Sequence, residues 1–247
     1  MFSVVIPTKD EEDHIEKLLL SIKKQTLQPD EIIVADKSTD KTPQIAKKFG
    51  AKIVQGTDNH RVGIGRNNGA RASRSQYIVF IDADSELRSK RFFSRFVGTF
   101  IKKDLDIATC YYTPDKKNLT NIIVFSGMNA FKKWADVTKN VIAEGAGCVI
   151  MKRDVFAALN GFNEEMKVGE DADIIKRATK MKFRFAVIPI LIRTSTRRYD
   201  NRSTIKVLLG AAGIGVVTFF GYKWFRKNLH KFEDMYWKDG KKKSQST

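Results

Sequence analysis

The chain has 247 residues, 42% of them hydrophobic and 30% charged, with a formal net charge of +17. That length holds one good-sized α/β domain with a short appendage, and the composition excludes a disordered chain. The two cysteines, Cys110 and Cys148, form no CxxC pair and no disulfide framework, while the basic surplus calls for an anionic partner: nucleic acid, a nucleotide or an acidic membrane surface.

Residues 2–6 (FSVVI) read as a buried strand ending at Pro7. They are too short for a signal-peptide core, so the catalytic part is expected to stay in the cytosol. A helix follows, with Ile15, Leu18, Leu19 and Ile22 at i, i+3, i+4, i+7, and Asp10 as its expected N-cap. Strands are predicted at 31–35, 52–55 and 77–81, with helices at 41–49 and 65–75 between them. A helix from Arg88 to Lys102 and a strand at 106–112 come next. Beyond Pro114 the pattern loosens: an apolar helix at 119–134, a strand at 147–151, helices at 154–159 and 169–181, and a strand at 183–188. The 119–134 helix fits either the core or a membrane surface beside the site, since Lys132-Lys133-Trp134 close its apolar run. Alternating strands and helices predict βαβ units and a mostly parallel sheet, with ligands bound outside the carboxyl ends of its strands.

Residues 207–222 carry no charge, and Lys223, Arg226 and Lys227 follow them. With Tyr222 and Trp224 as interfacial aromatics and Ala211 and Gly215 as a small-residue pair, the segment reads as a membrane-spanning or membrane-embedded helix. Gly210, Gly213 and Gly215 would weaken it as a helix in water. Residues 223–247 hold eight Lys/Arg against three Asp/Glu and suit anionic headgroups. The expected organisation is a catalytic domain at 1–200, a membrane helix at 204–225 and a basic tail at 226–247.

Polar clusters sit just after the strands. Asp82-Ala83-Asp84 leaves the 77–81 strand, and strand periodicity points both carboxylates the same way. Like charges that close favour a cation, and oxygen ligands suit Mg2+ or Mn2+ sharing its shell with phosphates. A plain polar turn is the competing explanation. Asp36 ends the second strand, where an acid accepts hydrogen bonds from a ribose or base. Gly63-Ile64-Gly65-Arg66-Asn67-Asn68-Gly69 nearly matches a dinucleotide fingerprint, but it follows the third strand, which rules that fingerprint out. Arg66 remains a nucleotide-contact candidate. Glu170 and Asp171 open a helix after the glycine-rich 144–147 approach, so an acid there serves as general base or simply favours the helix start.

Taken in order, VVIPTKDEE, IIVADKSTDKT, GRNNGARASRSQYIVFIDADS and GAGCVIMKRDVFAALNGFNEEMKVGEDADIIKRA resemble a family 2 glycosyltransferase over about residues 3–190. The resemblance implies a GT-A fold and inverting transfer of a sugar from a nucleotide-diphosphate donor. It places Pro7, Thr8 and Glu11 along the donor site, Asp36 at the base, Arg66 near the nucleotide and Asp82 near the ribose. Asp84, with Asp82, would hold Mg2+ or Mn2+, and Asp171 would be the general base with Glu170 beside it. Ala35 and Lys37 depart from the family's DDGS stretch. No histidine lies in Leu191–Asp200, so Arg193, Arg197 or Arg198 either neutralises the diphosphate or serves as juxtamembrane charge, with Gly145 as a further diphosphate or acceptor contact. The QxxRW motif of polymerising members is missing, which implies transfer of a single sugar. The expected partners are a UDP- or GDP-sugar and an acceptor hydroxyl or lipid phosphate at the cell membrane, with the catalytic domain on the cytoplasmic side. Two alternatives fit less of the sequence. A nucleotidyltransferase would need a basic glycine-rich loop where PTKDEED is acidic, and a nucleic-acid-binding module would need interleaved basic and aromatic residues.

Overall fold

The computed structural model describes residues 1–57, 61–138, 147–167 and 169–197. The expected segments at 204–225 and 226–247 lie outside them. Among the described residues, no helix is long and apolar enough to cross a membrane.

The first half is a run of βα units. Strand β1 (Phe2–Thr8) leads to helix α1 (Glu12–Lys23), β2 (Glu31–Asp36) to α2 (Thr42–Lys48), β3 (Lys52–Gln55) to α3 (Val62–Ala72), and β4 (Tyr77–Ile81) follows. These four strands pair in parallel in the order β3-β2-β1-β4. Their carboxyl ends therefore lie along one edge. The order reverses direction at β1 and β4, the place where an open α/β sheet forms its ligand crevice.

The second half extends the sheet in mixed sense. After the two-residue β5 (Ser85–Glu86) and helix α4 (Phe92–Lys102) come β6 (Ile107–Pro114), α5 (Leu119–Thr138), β7 (Cys148–Lys152), α6 (Arg153–Ala158), α7 (Glu170–Lys180) and β8 (Phe185–Thr194). The complete order is β3-β2-β1-β4-β7-β6-β8-β5. Strand β7 runs antiparallel to both β4 and β6, so its amino end, next to Gly147, reaches the edge where β4 ends. Strands β6 and β8 are parallel, with a register irregularity between Cys110 and Tyr111.

Two apolar layers sandwich this sheet. One joins α1, α2, α4 and α5 to it through Leu18, Ile22, Ala46, Val124 and a phenylalanine set of Phe2, Phe92, Phe93, Phe96 and Phe100. The other seats α3, α6 and α7 through Ala70, Val155, Ile174 and Ile175 against Val5, Ile78 and Phe80. Fully burying one such side chain stabilises by about 1.5–3 kcal/mol. The result is the expected αβα GT-A architecture.

Glycine sets how close α3 comes to the sheet. A Cβ at Gly69 would stand 2.3 Å from Val5 Cγ1, and one at Gly65 would meet Pro7 Cβ at 3.4 Å. The glycines that mimic a dinucleotide fingerprint thus serve helix-on-strand packing, which holds Arg66 over the crevice.

Several boundaries differ from the sequence reading. Helix α3 begins at Val62 because no strand or proline blocks its first turn, and α4 begins only at Phe92, after the β5 turn. Strand β8 runs on to Thr194, so Leu191–Thr194 belong to the sheet rather than to the loop after it. Asp10 is not the N-cap of α1; Glu11 occupies that place. Asp10 has φ 53° and turns its carboxylate to the Thr39 backbone N–H, 2.8 Å away. It fastens the β1–α1 loop to the β2–α2 loop.

Candidate active site

The DAD stretch forms a turn. Ser85 N–H donates to the Asp82 carbonyl at 3.1 Å, which removes the strand alternation expected for the two acids. Their carboxylates instead meet different arginines. Asp82 Oδ1 accepts from Arg66 Nη2 at 2.7 Å, while Asp84 Oδ2 lies 3.5 Å from Arg197 Nη2. The Asp82 side is crowded by β7: Asp82 N–H donates to the Gly147 carbonyl at 2.9 Å, and a Cβ on Gly147 would stand 2.9 Å from Asp82 Oδ2. A side chain at 147 would push the Asp82 carboxylate aside.

Arg66 organises the centre. Its side chain is only 3% exposed and its guanidinium forks between Asp82 and Glu170 Oε1. The Phe162 ring lies 5.4 Å below it. Burial alone would depress its pKa, but the Asp82, Glu170 and Asp171 carboxylates outweigh that and raise it. Glu170 and Asp171 are both buried in the first turn of α7, which starts after Gly169 in the left-handed conformation at φ 78°. Burial pushes the Glu170 pKa up; Arg66 opposes this and Asp171 adds to it. The sheet edge therefore carries Glu170, shared with Arg66, beside the equally buried carboxylate of Asp171.

On the β1–β2 side, Asp36 is held by neighbours. Its Oδ1 accepts from Thr8 Oγ1 at 2.7 Å and Ser38 Oγ at 2.6 Å, and its Oδ2 accepts from Ser38 N–H at 3.2 Å. Pro7 and Thr8 pair with Ala35 and Asp36 across the strands, so these four residues form one floor. Ser38, which sequence reasoning passed over, stands where the family's serine would and fixes Asp36 despite Ala35 and Lys37. Glu11 faces Arg197, whose guanidinium donates to it. His14 lies 3.5 Å from Glu11 Oε2; burial lowers its pKa, with Arg197 adding to the effect.

Five carboxylates, Glu11, Asp82, Asp84, Glu170 and Asp171, thus share this edge with two guanidiniums, those of Arg66 and Arg197. Among the described residues no three His, Cys, Asp or Glu groups converge as a closed metal cage. The donor set fits a hard cation held by few protein carboxylates, with phosphate and water completing its shell. Asp84 lies beside Arg197 and Asp82 is tied to Arg66.

Of the remaining expected contacts, Gly145 and Arg198 lie outside the described residues. Arg193 belongs to β8, where its Nη1 lies 3.2 Å from Glu86 Oε2, and that contact engages it at β5. Asn67 was missed by sequence reasoning. Its amide donates to Phe162 O at 2.9 Å and Glu164 Oε1 at 2.8 Å, and its Oδ1 accepts from Phe162 N–H at 2.8 Å. It pins the loop that carries Phe162 under Arg66, and its only signal was a second polar residue inside an otherwise helical run. Lys132 was also misread. It is buried, donates to Cys110 O at 3.1 Å and sits 3.7 Å from the centre of the Tyr112 ring. Cys110 and Cys148 are both buried free thiols.

This fold and this edge are those of a glycosyltransferase-like architecture, and comparison with known proteins agrees. Residues 3–159 match the glycosyl transferase family 2 model, and the chain belongs to that family. The nucleotidyltransferase and nucleic-acid alternatives fall with that match. The chain is 28% identical over 166 residues to 4,4'-diaponeurosporenoate glycosyltransferase of Staphylococcus haemolyticus, covering 62% of this chain and 44% of that protein. It is 26% identical over 188 residues to the uncharacterized glycosyltransferase EpsJ of Bacillus subtilis, covering 70% and 54%. The chain thus spans about half the length of these curated relatives. In fold it resembles the mannosyltransferase PcManGT of Pyrobaculum calidifontis, solved with GDP-Man and Mn2+, at TM-score 0.67 and 19% identity over 95% of this chain and 69% of that one. It also resembles S. aureus TarS with UDP, at TM-score 0.59 and 19% identity over 85% and 64%.

Proposed function

We propose that the protein transfers a single sugar, with inversion, from a UDP- or GDP-sugar to an acceptor hydroxyl or a lipid phosphate. The observation that carries this reading is the buried Arg66 fork joining Asp82 to Glu170, with Asp171 next to Glu170 on the same sheet edge. The Asp36–Thr8–Ser38 floor supports donor binding by offering a fixed carboxylate to the base or ribose. Asp171 accepts the proton of the attacking acceptor hydroxyl. Arg66 keeps Glu170 and Asp82 in place as that proton moves. A Mg2+ or Mn2+ ion held by Asp84 would supply charge stabilisation for the departing nucleoside diphosphate. Arg197, already at Asp84, supplies positive charge where sequence reasoning expected a diphosphate neutraliser. The enzyme works at the cell membrane from its cytoplasmic side, a placement motivated by the uncharged 207–222 segment and the cytosolic supply of such donors.

The experiment is a panel of radiolabelled UDP-, GDP- and dTDP-sugars with membrane lipid extract and either Mg2+ or Mn2+. One donor should be turned over. Asp171→Asn should lower kcat by roughly a hundredfold or more, in the range of a lost general base. Full activity in Asp171→Asn, or in Asp84→Ala, would remove the role given to that residue.

A further inference from the structure

Helix α5 exposes an apolar stripe interrupted by Ser126 and Lys133. Leu119, Ile122, Ile123, Ala130, Trp134 and Val137 lie on one face at helical spacing, and the five large ones are 43–75% exposed. The opposite face is fixed to the protein body. Asn129 brackets the Tyr112 backbone, donating to its O at 2.8 Å and accepting from its N–H at 2.9 Å. Lys132 donates into β6 on the same side. These polar ties set the rotation of the helix about its axis, so the stripe cannot turn inward without breaking them.

We propose that this stripe is a membrane-docking surface that lies in the headgroup region of an anionic bilayer. Charge complementarity selects that occupant. Lys133 stands within the exposed face, Lys116 and Lys117 are exposed just before the helix, and no carboxylate lies on that face. Asp136, the helix's one acid, accepts from the Val187 N–H at 3.2 Å on the body side. A bilayer interface accepts such a pattern, because lysines snorkel to anionic headgroups while the apolar face sinks. Trp134, packed on Phe131 at 5.6 Å between ring centres, suits that boundary. The chain's own 207–222 segment is a poorer cover. It has no carboxylate, so lying on the stripe it would bury Lys133 without a partner. A second copy would bring like charges together.

The test uses the full chain with Trp224→Phe and Trp237→Phe, leaving Trp134 as the only tryptophan. Vesicles of phosphatidylglycerol and phosphatidylcholine with brominated acyl chains serve as the probe, with no sugar donor present. Trp134 emission should shift to the blue and be quenched by bromine. Lys133→Glu should weaken the bromine quenching of Trp134, the readout local to α5. Ile122→Asp with Ile123→Asp should abolish the quenching while leaving the urea unfolding midpoint unchanged. Binding to vesicles with Trp134 unquenched would overturn the proposal. So would shielding of Trp134 from acrylamide without lipid: concentration-independent shielding would assign the stripe to 207–222, and concentration-dependent shielding to a second copy.

Discussion

At the residue scale, Arg66 decides most of the site's electrostatics. Replacing it with alanine leaves Glu170 and Asp82 facing each other with no cation between them, and breaking a buried pair this way costs about 3–5 kcal/mol. Arg66→Lys keeps the charge but cannot fork to both carboxylates, so its urea midpoint should fall between those of wild type and alanine. Glu170 sets a pH dependence of its own. Its pKa is raised above 4.5 by burial, so the stability from its protonated form is fully present below 4.5 and is lost as pH rises through the higher folded value. Glu170→Gln should flatten that limb in chemical denaturation followed across pH. Residue identities in this cluster were legible in the sequence because acids after parallel strands collect at one edge. Their pairing was not. A turn at 82–85 breaks the strand periodicity on which the expectation of aligned carboxylates rested, and Asp10 takes a left-handed backbone one residue before the N-cap, Glu11.

At the element scale, strands β1 to β4 and the helices between them were readable because each is a short apolar run bounded by a break. Strand β5 was not, since two residues carry no periodicity and are defined only by β8 alongside. The end of β8 was misjudged for a related reason: Arg193 and Thr194 look like loop residues until Glu86 and Ser85 are seen opposite them. The packing of α3 on β1 makes a sharp prediction. Gly69→Ala must displace Val5 or tilt the helix, at about 1–3 kcal/mol in urea denaturation. Gly98, where nothing lies within 4 Å of an added Cβ, is the control: Gly98→Ala should be neutral or slightly stabilising. A second prediction concerns Asp106, which joins the start of β6 to Lys152 at 2.8 Å and to the Arg184 N–H at 2.8 Å. Burial raises its pKa, but these partners more than offset that and lower it below 3.8. The stability it contributes is present above 3.8 and lost as pH falls through the lower folded value, so Asp106→Asn should blunt the acid limb.

Across the whole molecule, the net charge of +17 and the local acidity of the sheet edge act at different ranges. The surplus draws anions toward the protein over about a Debye length, roughly 8–10 Å at ordinary ionic strength. Close to the edge, the carboxylates accept only an anion that brings or meets a cation. Nucleotide association should therefore slow with added NaCl in stopped-flow titration, while the bound complex loses less affinity than the association rate loses speed. The sheet order adds a constraint on how the molecule comes into being. Strand β8 inserts between β6 and β5, and Ser195 N–H holds the Asp84 carbonyl at 3.1 Å. During synthesis the DAD turn leaves the ribosome more than a hundred residues before the strand that clamps it. Until then β6 is an open edge and Asp84 waits for Arg197. The stretch that matches the family model ends at residue 159, before Glu170, Asp171 and the strand that clamps the turn. The contacts that Ser195 and Arg197 make with Asp84 thus become possible only late in the life of the nascent chain.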